Sequence, residues 1–184
     1  LLDWRGWHFG PCDLPDDHDE AGSMFAMACE ASRRDDFEAV YAHLLDAVPS
    51  LDAEGDPWLY GTVQDQLGVL AATADSWSAA AEHFGQAQVY WLREAASFEL
   101  GVTLHNLALA SWYSGDFEAA TAPLLGAQSL REQYGDEIGT LLTWAQTSIF
   151  YEDWEDIYLL VEWLDEKDLP QADLLAEWLD DRDL

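Results

Sequence analysis

Side chains that can do chemistry are abundant in this chain, but few stand at spacings that a known reaction requires. The stretch from Gly61 to Gly68 lacks the lysine and the preceding strand of a phosphate-binding loop. Neither a His-Glu-x-x-His sequence nor a Cys-x-x-Cys pair occurs, so the common zinc frames are absent. Carboxylates are so numerous that no pair stands out as a general acid and base. The sequence predicts a non-catalytic protein without a metal or cofactor.

The remaining candidates for metal or redox chemistry lie near the amino terminus. His8, Cys12 and His18 stand among aspartates at a spacing that matches no known metal frame, so we interpret them as part of a solvated loop. Cys12 and Cys29 are too few for a disulfide framework. No apolar run approaches the roughly 20 residues of a membrane-spanning helix. We therefore expect a cytoplasmic protein with reduced thiols.

Helices must position any functional residue, and the clearest pair lies between Gly101 and Leu130. Apolar residues recur at i, i+3 or i+4 spacing on both sides of a tight turn at Ser114, Gly115 and Asp116. This spacing is typical of amphipathic helices and not of strands.

The same helix pair is found four times along the chain. The aromatic residues that open the second helices are separated by 40, 40 and 37 residues: Phe37, Trp77, Phe117 and Trp154. Nine residues before each aromatic stands a small residue: Ala28, Gly68, Ala108 and Ala145. Small residues let helix backbones approach closely, so we expect the four pairs to stack in register.

The pattern resembles the tetratricopeptide repeat (TPR) family, whose units are helix–turn–helix pairs of about 34 residues. The small residues of the first helices, the Gly115–Phe117 turn and the alanines of the second helices carry the resemblance. The longer period resembles the variety found in kinesin light chain. The resemblance implies an all-α, right-handed solenoid, with repeats at about 21–49, 58–94, 97–134 and 136–166.

Two segments flank the array. Residues 1–20 combine an aromatic cluster with prolines and aspartates, and we expect this segment to cover the first helix pair. The alternative is that the aromatic cluster lies in the binding groove as a self-peptide. Residues 167–184 carry an apolar stripe opposite an acidic face, which predicts a capping helix. The alternative is a helix that docks a partner or a second copy.

The resemblance implies that the first helices line the concave side of the array, and we place the candidate binding groove there. We call its residues the first-helix face: Phe25, Arg33, His105, Asn106, Leu109, Trp112, Tyr113, Gln146 and Phe150. Aromatic residues and arginine are the usual anchors of protein interfaces. The alternative is that the aromatic rings pack against the next unit and that Arg33 pairs with Asp36. The family's carboxylate clamp uses lysines and asparagines, and only Asn106 fits it.

Net charge limits the partners. The chain has 37 Asp and Glu against 7 Lys and Arg, which gives a net charge of −30. Such a surface repels nucleic acid and anionic membrane, so we expect neither as a partner. The acidic clusters are spread over every segment, which favours a salt-adapted, solvated surface over a single stripe that imitates nucleic acid. Ordinary acidic composition is a further alternative.

These observations predict a non-catalytic protein–protein interaction scaffold that binds a peptide segment or helix of another protein in its concave groove. One alternative is an acidic inhibitor or nucleic-acid-mimicking decoy, whose carboxylates would form one continuous stripe. Another is a regulatory arm of a larger assembly.

Overall fold

Eight α-helices follow one another along the described part of the chain. The computed structural model describes Leu2, residues 19–52, 54–151 and 154–166, and Ala176. The helices are α1 (Glu20–Ser32), α2 (Phe37–Ala47), α3 (Pro57–Thr73), α4 (Trp77–Arg93), α5 (Ser97–Tyr113), α6 (Phe117–Tyr134), α7 (Glu137–Phe150) and α8 (Trp154–Glu166). A short 3-10 turn, Val48–Ser50, follows α2. No strand occurs in these ranges, so the all-α prediction is confirmed.

The helices pack in neighbouring pairs. Helix α1 contacts α2, α3 contacts α4, α5 contacts α6, and α7 contacts α8. Successive pairs meet through α2 and α3, α4 and α5, and α6 and α7. The first helices also contact one another from α3 to α5 and from α5 to α7.

Aspartates at the helix starts explain part of the acidic composition. The carboxylates of Asp36, Asp116 and Asp136 each accept a hydrogen bond, 3.0–3.1 Å long, from the backbone N–H three residues later. Asp19 and Asp56 cap α1 and α3 in the same way. A carboxylate at this place satisfies a free N–H and interacts favourably with the helix dipole.

The turns inside the first three helix pairs share one backbone conformation. Asp35, Asp75 and Gly115 stand two residues before the aromatic that opens the second helix, with φ of 56°, 56° and 91°. Only the third pair has glycine there, although φ is positive in all three. Aspartate is among the few residues besides glycine that visit this left-handed region, so the turn forms without glycine.

Small residues bring the paired helices into close contact. Ala28, Ala108 and Ala145 are buried at their register position. At the same position of the second pair, the ring of Phe84 lies over Gly68, where an added Cβ would come within 2.6 Å of a ring carbon. These contacts match the close approach that the small residues predict.

Helix α3 is covered on every side, since every residue from Gly61 to Ala72 is buried. Second helices differ: α4 and α6 each keep an exposed face, with Val89 and Leu125 both about 61% exposed. Among the described residues, no helix is both long and apolar enough to cross a membrane. The predicted capping helix lies outside the described residues except for Ala176, and the amino-terminal cover lies outside them except for Leu2, Asp19 and Glu20.

Candidate functional site

The first-helix face is mostly buried. Six of its nine residues are at most 7% exposed: Phe25, His105, Asn106, Leu109, Gln146 and Phe150. Trp112 is half-buried, whereas Arg33 and Tyr113 are exposed at the ends of their helices.

The aromatic residues of this face connect neighbouring helix pairs. The rings of Trp112 and Phe150 stack with centroids 4.0 Å apart and an interplanar angle of 7°. Tyr113 stacks on Trp77 of the preceding pair at 4.8 Å. The alternative interpretation, packing between units, therefore describes Trp112, Tyr113 and Phe150 in this structure.

Arg33 lies apart from these rings. Its guanidinium is 3.0 Å from the carboxylate of Glu30, with both side chains more than half exposed. The pairing partner is thus Glu30 on the same helix and not Asp36. An exposed pair at i, i+3 contributes only a few tenths of a kcal/mol, so Arg33 is held weakly.

Buried polar side chains join α5, α6 and α7. The Nδ1 atom of His105 lies 3.2 Å from the hydroxyl of Thr143. Arg131, which is 2% exposed, donates at 2.6 Å to that hydroxyl and to the carbonyl of Gly139. Neither Arg131 nor Thr143 is among the site residues predicted from the sequence. The signal was available, because Arg131 is one of only seven cations in the chain.

A buried carboxyl joins α3, α4 and α5. Asp65 accepts a 2.6 Å hydrogen bond from the indole N–H of Trp91 and a 2.8 Å hydrogen bond from the hydroxyl of Thr103. Burial raises the pKa of Asp65, the two hydrogen bonds partly oppose this, and the charge of Glu99 adds a smaller increase, so that the pKa rises from 3.8 to about 7. Asp65 is the only charged residue of α3, which was the signal that sequence reasoning overlooked.

Two amide side chains stand at equivalent positions of neighbouring helix pairs. Gln66 and Asn106 each lie eleven residues before the aromatic that opens the next helix, and both are at most 1% exposed. Neither amide atom of Gln66 has a hydrogen-bond partner in the structure. Asn106, His105 and Gln146 all have interaction partners. Leaving a buried amide unpaired costs about 1–3 kcal/mol, which makes Gln66 unusual for a core residue.

Leu2 packs against two core clusters that are formed by several helices. It contacts a cluster that contains Val69 and Ala110, and a second cluster that contains Leu109 and Phe150. Leu2 is itself half-buried.

Cys29 corrects one expectation. It is 1% exposed and disulfide-bonded, so the expectation of reduced thiols is wrong. The sequence has one other cysteine, Cys12, which lies outside the described residues. The physical reason is that a disulfide forms where the fold brings two sulfur atoms together, which depends on the structure around Cys29. The expectation of reduced thiols was based on how often disulfides occur in each cellular compartment, and such frequencies say nothing about which sulfur atoms a particular fold brings together.

Within the described ranges, no group of three or more His, Cys, Asp or Glu side chains is arranged to hold a metal ion. A cleft of about 460 Å³ lies elsewhere, between α2 and the ends of α3 and α4, where Phe37, Tyr41 and Leu70 line it. Family models, curated proteins and solved structures contain no significant match to this chain.

Proposed function

We propose that this chain is a non-catalytic, TPR-like interaction scaffold whose first-helix face binds a peptide segment or helix of another protein. The proposal is supported by helices that pack in neighbouring pairs, with small residues and turns at equivalent positions in successive pairs. It is also supported by the contacts that α5 makes with both α3 and α7, because touching first helices would form the inner side of a curved array.

One observation carries the proposal: the first helices bury amide and imidazole groups where a purely structural core would be apolar. Gln66, His105, Asn106 and Gln146 are each at most 1% exposed. Amides both donate and accept, so they match the N–H and C=O groups of a peptide backbone.

Apolar contact would supply most of the affinity. The chain carries a net charge of −30, so a salt-adapted surface is part of the proposal, and screened charges contribute little at high salt. The strong negative charge also disfavours nucleic acid and anionic membrane as partners.

Site-specific photocrosslinking tests the proposal. The photoreactive amino acid p-benzoylphenylalanine replaces Tyr113, an exposed aromatic residue at the end of α5, in cells at native salt. The matched control carries the same group at Leu125, which is about 61% exposed on the second helix α6. We expect a protein adduct at position 113 and none at position 125. Equal adducts at both positions, or none at position 113, would contradict the proposal.

A further inference from the structure

Aromatic rings stack across the junctions that join the second helix pair to the third and the third to the fourth. The rings come from one register position, four residues before the aromatic that opens the second helix: Tyr113 and Phe150. Tyr113 stacks on Trp77 of the second pair with ring centroids 4.8 Å apart. Phe150 stacks on Trp112 of the third pair at 4.0 Å. Each ring therefore packs against the preceding pair.

Threonine stands in place of this ring where the first pair meets the second. Thr73 holds the same register position in the second pair, and its hydroxyl donates a 2.8 Å hydrogen bond to the carbonyl of Leu70 on its own helix. Among the residues that the structure describes, no aromatic ring stacks on Phe37, which corresponds to Trp77. A small side chain at the place of a large one leaves space, so this junction keeps an opening.

The opening is the cleft between α2 and the ends of α3 and α4. Its volume is about 460 Å³, which is within the range of sites that hold small ligands. Phe37 and Tyr41 line it from α2, and Leu70 and Thr73 line it from the end of α3. Phe37 and Tyr41 are 52% and 41% exposed, so both rings are accessible to a bound group. These lining residues differ from those of the first-helix face.

The charge beside the cleft is mostly negative. The cleft and the turns before α2 and α4 carry four exposed carboxylates: Asp35, Asp36, Glu38 and Asp75. Two arginines precede them at the end of α1, but Arg33 and Arg34 both pair with Glu30. With a net charge of −30, the chain attracts a basic peptide and repels an acidic one.

We propose that this cleft binds an aromatic side chain of a basic peptide that belongs to another protein. The ring stacks on Phe37 as Tyr113 stacks on Trp77, and a lysine or arginine beside it lies near Glu38 and the carboxylates of the two turns. The equivalent place at the next junction holds a tyrosine ring, which is why an aromatic group is the occupant. The inference goes beyond the proposed function, because the site is separate from the first-helix face.

Methyl NMR titration with three acetylated tripeptide amides tests the proposal. The probes are Lys-Tyr-Lys, Lys-Ala-Lys and Glu-Tyr-Glu, and the reporters are the methyl groups of Leu70, Ala74 and Ala79, which line the cleft. We expect Lys-Tyr-Lys to shift these resonances in a saturable manner. The other two peptides should bind several-fold more weakly, because one lacks the ring and the other lacks the attractive charge.

Two pairs of variants locate the binding. Thr73→Tyr supplies the missing ring from within the chain, so it should abolish the shifts and raise the melting temperature. Thr73→Val leaves the cleft open and should retain binding. Phe37→Ala removes the stacking ring and should weaken binding about 2- to 10-fold. Phe117→Ala, at the equivalent position of the third pair, should leave binding unchanged.

Other outcomes overturn the inference. Equal binding of Lys-Ala-Lys would mean attraction by charge alone, and undiminished binding to Thr73→Tyr would place the peptide elsewhere. Contacts between the reporter methyl groups and an aromatic ring in the absence of peptide would assign the cleft to the chain itself. If such contacts depend on protein concentration, the occupant is a second copy. Unchanged reporter resonances with Lys-Tyr-Lys would also contradict the proposal.

Discussion

The indole N–H of Trp91 donates a 2.6 Å hydrogen bond to the carboxyl of Asp65, which also accepts from Thr103. One buried acid thus links α3, α4 and α5. Its pKa is about 7 because burial disfavours the charged form more than the two hydrogen bonds favour it.

The raised pKa of Asp65 predicts a pH-dependent contribution to stability. The folded chain holds this proton up to pH about 7, whereas an unfolded chain releases it near pH 3.8. The stabilising contribution is therefore complete below pH 3.8 and is lost as pH rises to about 7. Urea unfolding measures the free energy of unfolding at each pH. Between pH 5 and pH 8, we expect this free energy to fall by roughly 2–3 kcal/mol more for wild type than for Asp65→Asn.

Asp52 offers a matched control. It is exposed, and hydrogen bonds from the backbone N–H groups of Gly55 and Glu54 lower its pKa below 3.8. Its contribution changes only below that value, so Asp52→Asn should leave the slope between pH 5 and pH 8 unchanged. Equal slopes for wild type and Asp65→Asn would contradict the prediction.

The close approach at Gly68 predicts opposite effects for two glycine-to-alanine substitutions. A Cβ at Gly68 would lie 2.6 Å from a carbon of the Phe84 ring, so Gly68→Ala should cost about 1–3 kcal/mol of stability. Gly85 lies inside α4 with no atom within 4 Å of an added Cβ. There alanine removes the entropy cost of glycine, and Gly85→Ala should gain about 0.5–1 kcal/mol. Chemical unfolding of both variants checks the pair, and effects of the same sign would count against it.

Helix register could be predicted from the sequence because it depends on local periodicity. The aromatics Phe37, Trp77 and Phe117 begin α2, α4 and α6, as the spacing predicts. The first and second turns were harder, since Asp35 and Asp75 take the conformation that glycine marks at Gly115. A sequence without glycine there gives no direct signal.

The candidate site was only partly predictable, because burial of an open helix face depends on distant parts of the chain. His105, Asn106 and Gln146 were found by register, but nothing local indicated that they would be buried. Asp65 was overlooked as a buried acid, because its hydrogen-bond partner Trp91 is 26 residues away. From the sequence, Trp112 and Phe150 could equally be anchors of a binding groove or rings that pack between units. Their stacking in the structure supports the packing.

The disulfide at Cys29 predicts a measurable thiol count and a loss of stability on reduction. A thiol reagent should detect no free thiol in protein that is unfolded without a reductant. After treatment with a dithiol reductant, it should detect two. Closing a loop of about 15 residues contributes about 3 kcal/mol, so reduction should lower the free energy of unfolding by that order. Cys29→Ala is the control, because the reductant should leave its stability unchanged. Two reactive thiols in the untreated chain would refute the bond.

Net charge predicts the response to salt. A chain with a net charge of −30 repels itself in the folded state, and screening shortens the range of that repulsion from about 30 Å at 0.01 M to about 3 Å at 1 M salt. The melting temperature should therefore rise strongly between these potassium chloride concentrations. The double variant Glu38→Lys, Glu118→Lys is the control, since both residues are exposed in the first turns of α2 and α6 and neither is the capping residue. Its net charge is less negative, so its melting temperature should rise less with salt. A flat response of the wild-type chain would remove the salt-adapted part of the proposed function, because self-repulsion large enough to need screening must show in that measurement.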